Sequence, residues 1–253
     1  HMEGRFVVRH LYVRTNSRGE ALVCVVAWKP VLPGADRLVS ALRECEPGVV
    51  GVVLNVNPAD TNVILGPEYH TLWGRDYLEE ELCAYTFRLS VPSFFQINQA
   101  QTERLYAVAL DFAALTGRET VLDLYCGIGT IGLTASDKAR QVVGVEVNRD
   151  AVRDAIGNAK HNGVKNARFF AADATAWIRE AADAGQKADV VFMDPPREGS
   201  TPAFIESVAR MAPKRVVYVS CNPETMARDL ALLTQKGYRA EGFTPVDMFP
   251  HSA

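Results

Sequence analysis

The chain has 253 residues, 48% of them hydrophobic and 23% charged, with a formal net charge of −3. This is a globular composition, enough for one large or two modest domains, and its mild acidity excludes a protein that holds nucleic acid by bulk positive charge. No apolar run nears the ~18 residues of a membrane span and no stretch reads as a signal peptide, so a cytoplasmic protein without membrane contact is expected.

The five cysteines, Cys24, Cys45, Cys83, Cys126 and Cys221, are scattered. They show no C-x-x-C spacing, so no metal site of the zinc or iron–sulfur kind is expected. An odd, unpatterned set fits a reducing compartment. His1-Met2 has the look of a cloning scar, which places the natural start upstream. No signal for an oligomeric state is visible.

Residues 1–90 form a first unit, expected as an α+β accessory domain. Residues 6–14 read as a strand, Asn16-Ser17-Arg18-Gly19 as a turn and residues 21–27 as a second strand, together a hairpin. Residues 38–44 read as a short helix and 49–56 as a third strand. A loop follows, and residues 62–65 are expected to begin another strand. Glu79-Glu80-Glu81 reads as a solvated acidic face, the usual fate of such a run.

Residues 91–253 form the second unit. Residues 87–91 read as an extended link into it. Pro92-Ser93-Phe94-Phe95-Gln96-Ile97-Asn98 sets two aromatics beside amides, able to stack on a base or simply to lead into a helix. Asn98 and Gln101 have capping-box spacing. The helix is expected to run to about residue 115, with Leu105, Val108, Phe112 and Leu115 on its inner stripe. From Thr120 the chain alternates strand and helix. Strands are expected at 121–125, 142–146, 167–171, 188–193, 216–219 and 238–246. Helices fall at about 149–162, 174–184, 202–210 and 224–235. That alternation argues for a parallel, doubly wound α/β sheet.

Chemistry gathers at the carboxyl ends of these strands, where open α/β sheets bind ligands. Asp123 precedes Gly127 and Gly129 at the first strand-to-helix turn, and Gly132 completes a formal G-x-G-x-x-G. That string alone fits a dinucleotide. A carboxylate beside a pyrophosphate is unfavourable, however, whereas an acid suits a ligand carrying an amine and positive charge, such as S-adenosylmethionine. Glu146 ends the second strand, where a carboxylate can take ribose hydroxyls from either ligand. Asp173 follows the third strand, where an acid can reach an adenine or merely cap a helix. Asp194-Pro195-Pro196-Arg197 ends the fourth, rigid through its prolines. The fifth runs into Ser220-Cys221-Asn222-Pro223. Cys221 there is either a nucleophile at the mouth of the cleft or a small buried hydrophobe.

These motifs, with Val143-Gly144-Val145-Glu146 and Asp247-Met248-Phe249-Pro250-His251, stand in an order that resembles the RNA uracil-5-methyltransferases, which make 5-methyluridine in 23S rRNA and in tRNA. The resemblance is strong over residues 87–251. The first unit is similar, less specifically, to that family's central domain. It implies a Rossmann-like S-adenosyl-L-methionine-dependent methyltransferase sheet with a smaller α+β domain. It implies donor-binding roles for Gln96, Tyr125, Gly127, Glu146, Asp173 and Asp194, substrate-side roles for Phe94 and Arg197 near a flipped base, and a nucleophilic Cys221. A thiolate adding to C6 of uracil makes C5 enolate-like, so that it can attack a sulfonium methyl; the target uridine must leave its stack to be reached. The implied partner is RNA, 23S rRNA ahead of tRNA. The family's basic barrel domain and, in some members, an iron–sulfur cysteine cluster have no counterpart in these 253 residues. The family also continues past the histidine to a glutamate base and a last strand, whereas the sequence stops at Ala253. A chain that forms the RNA adduct but releases product poorly, with an unpaired sheet edge, is expected on that ground. A non-catalytic RNA-binding fragment and a dinucleotide oxidoreductase are the alternatives.

Overall fold

The computed structural model describes residues 7–250. The expected scar at His1-Met2 and the His251 of the last motif lie outside the described residues. Contacts divide the chain into two units. One runs through Glu80 and takes in Arg88–Pro92; the other comprises Glu81–Phe87 and everything from Ser93.

The first unit is built on a four-stranded sheet in the order β1-β2-β3-β4: β1 (Val8–Thr15), β2 (Ala21–Ala27), β3 (Val49–Val56) and β4 (Glu68–Gly74). β1 and β2 make the expected hairpin. Asn16 Oδ1 closes its turn by accepting from the N–H groups of Arg18 and Glu20 at 3.1 and 2.8 Å. β2 and β3 are parallel, so a crossover is needed, and α1 (Ala35–Cys45) supplies it. Val39 and Leu42 of α1 cover Val23, Val49 and Val52 on one face of the sheet. Leu22, Cys24, Val26 and Val53 pack with Leu78 and Val91 on the other.

Two expectations fail in this unit and a third is refined. Residues 62–65 form no strand. Asn55 and Asn57 instead pin that stretch, with Asn57 Nδ2 donating to the carbonyls of Val63 and Ile64 at 2.7 and 3.0 Å, and strand structure resumes at Glu68. The acidic run lies inside β5 (Tyr77–Leu82), where alternation buries Glu80 and leaves Glu81 exposed. The Glu80 carboxylate accepts the Ser17 N–H at 2.8 Å and also the Ser17 hydroxyl, so its burial is compensated. The link at 87–91 is largely β6 (Tyr85–Ser90), which returns from β5 through Cys83 and Ala84, both at positive φ. The tip of this hairpin belongs to the second unit.

The second unit opens with α2 (Gln99–Ala113) and continues as a five-stranded parallel sheet. Its strands are β7 (Thr120–Leu124), β8 (Gln141–Glu146), β9 (Ala167–Ala171), β10 (Val190–Met193) and β11 (Arg215–Tyr218), in the order β11-β10-β7-β8-β9. The helices are α3 (Thr130–Ala135), α4 (Arg149–His161), α5 (Ala174–Asp183), α6 (Pro202–Met211) and α7 (Pro223–Gln235). Leu122, Leu124, Val143, Val145, Val191 and Met193 form one sheet face and pack on Ile178, Phe204, Ile205, Val208 and Leu233. Side-chain caps start α2, α4, α5, α6 and α7, from Asn98, Asn148, Asp173, Thr201 and Asn222. Each such cap contributes about 1 kcal/mol. The strand order reverses between β7 and β10, and open α/β sheets bind ligands beside the carboxyl ends of the strands at such a point.

Two expectations change here. The buried face of α2 is Thr102, Tyr106, Ala109 and Ala113, while Phe112 stays 41% exposed. Small residues let the helix sit close, and the Tyr106 hydroxyl reaches Thr130 Oγ1 at 2.7 Å. Residues 238–246 form no strand, because among the described residues no strand pairs the outer edge of β11 to give them a ladder. Among the described residues no helix is long and apolar enough to cross a membrane, and no group of three His, Cys, Asp or Glu is placed to hold a metal ion.

Candidate active site

Asp123 sits one residue before the end of the central strand, paired in register with Gly144 of β8 and Phe192 of β10. It is 1% exposed. Oδ2 accepts the N–H of Gly132 in the first turn of α3 at 2.8 Å, and Oδ1 has no hydrogen-bond partner among the described residues. A buried acceptor without a partner is costly and calls for a donor from a ligand. Burial pushes the Asp123 carboxyl up to about 7; the Gly132 bond opposes this, and the charges of Asp194 and Glu146 add to it. Asp194, just past β10, is likewise pushed up to about 6 by burial. The Asp123 carboxylate thus feels the charges of Asp194 and Glu146, from the two strands that flank β7, an arrangement that favours a cationic ligand.

The turn between β7 and α3 carries three left-handed residues, Tyr125 (φ 67°), Gly127 (φ 54°) and Gly129 (φ 84°). Tyr125 is the unusual one, since a bulky side chain disfavours that region. It is held there by its own N–H and that of Cys126, both donated to the carbonyl of Val145 at 2.9 and 3.1 Å. Its ring packs 5.3 Å from Phe204, and burial raises the pKa of its hydroxyl. At Gly127 an added Cβ would meet nothing within 4 Å, so open space lies over the turn. Glu146 Oε2 accepts from Gly127 N–H at 3.1 Å and Oε1 from Asn148 N–H at 2.8 Å. Each oxygen keeps a free lone pair for a ligand hydroxyl. The methyl donor implied by the resemblance fits these residues: an acid cluster for its amine and sulfonium, an open turn, and a carboxylate for its ribose. A pyrophosphate fits poorly, because Asp123 already takes the Gly132 N–H.

Asp173 is exposed and caps α5, its Oδ1 accepting from Ala176 N–H at 2.8 Å. The capping reading of this residue holds, and its second oxygen is still available to a ligand.

The loops after β10 and β11 are tied together. Asn222 Nδ2 donates to the carbonyl of Arg197 at 3.1 Å, and Thr225 Oγ1 donates to the same oxygen at 3.3 Å. Cys221 lies three residues beyond the end of β11, just ahead of the α7 cap Asn222, and is exposed. It is not the buried small hydrophobe of the alternative reading. Arg197 is exposed as well.

Phe94 is 73% exposed, Gln96 is half-buried, and among the described residues Gln96 has no hydrogen-bond partner. Neither makes a hydrogen bond to the acid cluster. Asn98 joins their segment to the last motif. Its Oδ1 accepts from Gln101 N–H and its Nδ2 donates to the carbonyl of Met248, both at 3.2 Å. Ile97, Asn98, Gln99, Met248, Phe249 and Pro250 line an open cavity of about 350 Å³ between the two segments. Sequence reasoning missed the tying role of Asn222 and a fully buried carboxylate, Asp229, on α7. The available signal was an acid four residues before the buried Leu233 on one helix face.

A family model described as tRNA (uracil-5-)-methyltransferase matches residues 62–253. An uncharacterized RNA methyltransferase of Clostridium tetani is 43% identical over 97% of this chain and 54% of its own length. One of Enterococcus faecalis is 44% identical over the same shares. The chain therefore spans about half the length of the curated relatives it matches. Among solved structures, a Pyrococcus abyssi tRNA (uracil-54, C5)-methyltransferase in complex with S-adenosyl-L-homocysteine superposes with a TM-score of 0.78 at 28% identity, covering 98% of this chain and 58% of that one. An S-adenosylmethionine-dependent methyltransferase from Agrobacterium tumefaciens shares the fold alone, with a TM-score of 0.56 at 15% identity over 90% and 77% of the two chains. The second unit has the α/β fold of S-adenosylmethionine-dependent methyltransferases.

Proposed function

Because this chain belongs to the tRNA (uracil-5-)-methyltransferase family, we propose that it moves the methyl group of S-adenosylmethionine to C5 of a uridine in cytoplasmic RNA through a covalent bond from Cys221 to C6. The observation that carries this reading is the partnerless, buried Oδ1 of Asp123, whose carboxylate feels two others, Asp194 and Glu146. It calls for a cationic ligand beside the loops that bear Asp194 and Cys221.

Bound S-adenosylmethionine supplies an electrophilic methyl on a sulfonium. Asp123 and Asp194 take its ammonium group, Glu146 its ribose hydroxyls and Asp173 its adenine edge. Tyr125, Gly127 and Gln96 line its body. Phe94 stacks on the flipped uracil, with Arg197 on the substrate side. The Cys221 thiolate adds to C6, and the displaced electron pair makes C5 enolate-like. C5 then forms its bond to the methyl carbon, while the carbon–sulfur pair stays with sulfur as S-adenosylhomocysteine. A base takes the C5 proton, the C5–C6 double bond re-forms and the thiolate leaves.

Ribosomal 23S RNA is the substrate we favour. Transfer RNA is the second reading, supported by the stated substrate of the Pyrococcus abyssi neighbour. The test is to incubate the chain with donor and with each RNA, then digest to nucleosides for mass analysis. The expected product is 5-methyluridine in rRNA; its appearance only in tRNA selects the second reading. Donor binding by calorimetry with neither methylation of, nor a covalent adduct to, either RNA sinks catalysis in favour of a non-catalytic RNA binder. C221A is expected to keep donor affinity and lose the RNA adduct, and an adduct that survives C221A overturns the assignment of the nucleophile.

A further inference from the structure

α7 carries a carboxylate where an apolar side chain would pack. Asp229 is completely buried, on the same helix face as Leu233. Its Oδ2 accepts the N–H of Ser200 at 2.7 Å and the hydroxyl of Tyr218 at 2.8 Å. Its Oδ1 accepts Nε and Nη2 of Arg228 at 2.9 and 2.8 Å. Arg228 in turn donates from Nη2 to the carbonyls of Glu198 and Ser200 at 3.0 and 3.1 Å. The loop passes so close that a Cβ at Gly199 would lie 2.6 Å from Arg228 Nη2 and 2.8 Å from Asp229 Oδ2. Gly199 also holds a φ of 76°, so glycine is required twice over.

Burying a carboxylate costs several kcal/mol unless its bonds are complete. Here they are complete, and they reach both the loop after β10 and the last residue of β11. Ser200 follows the Asp194–Arg197 motif after β10. Tyr218 is the last residue of β11, ahead of Cys221. An apolar residue at 229 would fill the same space and join nothing.

We infer that Asp229, together with Arg228, is a positioning clamp that holds the loop after β10 against the end of β11, and so fixes the loop that bears Cys221 relative to the donor-side Asp194. This rests on the function proposed above. The clamp touches neither substrate nor donor and acts through the loops it joins.

The test uses the full chain, with D229N and with R228M. The second variant removes the bonds to the Glu198 and Ser200 carbonyls and the two to Asp229 Oδ1 while leaving Oδ2 bonded to Ser200 and Tyr218, so it breaks the clamp by a different route and serves if D229N fails to fold. Amide hydrogen exchange is followed in peptides covering residues 194–201 and 218–223. Adduct formation is followed in a single turnover with donor and RNA containing 5-fluorouridine. There fluorine replaces the C5 hydrogen and the adduct accumulates, so its amplitude counts competent sites and its rate constant reports their geometry. Exchange is expected to quicken in both loops together and not in β7 or β8. The adduct rate constant is expected to fall about 10- to 100-fold at near wild-type amplitude, since a displacement of about 1 Å has that effect on a reaction rate. A lost amplitude with an unchanged rate constant shows a merely structural residue and overturns the clamp. So does faster exchange in one loop only, or an unaltered rate. If the wild-type chain forms no adduct at all, the proposed function fails, and the exchange comparison alone then decides the clamp.

Discussion

The main-chain N–H of Gly132 donates to Oδ2 of Asp123 at 2.8 Å, across the turn that joins β7 to α3. The glycine is there for that contact. An added Cβ would lie 2.8 Å from the same oxygen and 3.0 Å from Val142 Cγ1. Gly132→Ala gains about 1 kcal/mol in helix propensity, but overpacking a buried site costs about 1–3 kcal/mol, and the second effect wins because neither neighbour is a flexible chain end. The variant is expected to unfold at lower urea concentration and to bind S-adenosylmethionine about tenfold more weakly, a loss of about 1.4 kcal/mol. Chemical unfolding and calorimetry read the two effects. Unchanged donor affinity would separate Asp123 from the donor.

The acids at the switch point give a pH dependence of definite sign. Burial raises Asp123 from 3.8 to about 7 and Asp194 from 3.8 to about 6. Above pH 4 the unfolded chain sheds these protons while the folded chain keeps them. The donor-free fold therefore loses stability as pH rises from about 4 to about 7, and the loss then levels off. A bound cation reverses the local preference by stabilising both carboxylates in ionised form. Donor affinity is expected to rise between pH 6 and 7.5 with release of protons. Calorimetry in two buffers of different ionisation enthalpy measures that release. Asp194→Asn is expected to remove part of it; a flat profile in the wild-type chain contradicts the assignment.

Asp173 is both the cap of α5 and a proposed adenine contact, and two substitutions pull these apart. Asp173→Ala removes the bond to Ala176 N–H and is expected to cost about 1 kcal/mol of stability as well as donor affinity. Asp173→Asn keeps a capping oxygen, so stability stays near wild type while donor binding weakens several-fold through loss of the carboxylate. Equal donor affinity in Asp173→Asn and wild type would reduce the residue to its cap.

How far the sequence was legible depended on whether a stretch carried its own reason for its structure. β3 (Val49–Val56) and β9 (Ala167–Ala171) fall at the expected residues, because apolar or β-branched runs bounded by turns are local signals. Residues 238–246 have strand-like composition and form no strand, because a strand needs an edge to pair with and composition does not show one. The Glu79–Glu81 run misled for a related reason, since the partner that makes Glu80 buriable is Ser17, 63 residues away. At the site, strand-end positions located Asp123, Glu146, Asp194 and Cys221. The ties beside the last two, Asn222 to Arg197 and Asp229 to Ser200 and Tyr218, join a helix cap, a helix-interior acid and a strand-end tyrosine to a loop that none of them adjoins in sequence. Their pairing exists only once the two loops are side by side.

Phe94 offers the sharpest separation of function from fold. At 73% exposure its side chain contributes little burial, so Phe94→Ala is expected to change stability by less than about 0.5 kcal/mol. A base stacked on an aromatic is worth about 1–3 kcal/mol, which corresponds to about a 5- to 150-fold weaker RNA interaction. The loss is expected in the KM for RNA, with donor affinity untouched, because the carboxylates proposed to hold the donor, Asp123, Glu146, Asp173 and Asp194, lie at or just past the ends of β7, β8, β9 and β10. Phe94→Tyr keeps the π face and is expected to retain most of the affinity. Filter binding at fixed salt, thermal unfolding and donor calorimetry on the three proteins test this together. If Phe94→Ala lowers stability and donor binding while sparing RNA, the ring belongs to the entry of α2 and the base must stack elsewhere. Phe249, 56% exposed beside the Asn98–Met248 contact, is the next aromatic to substitute.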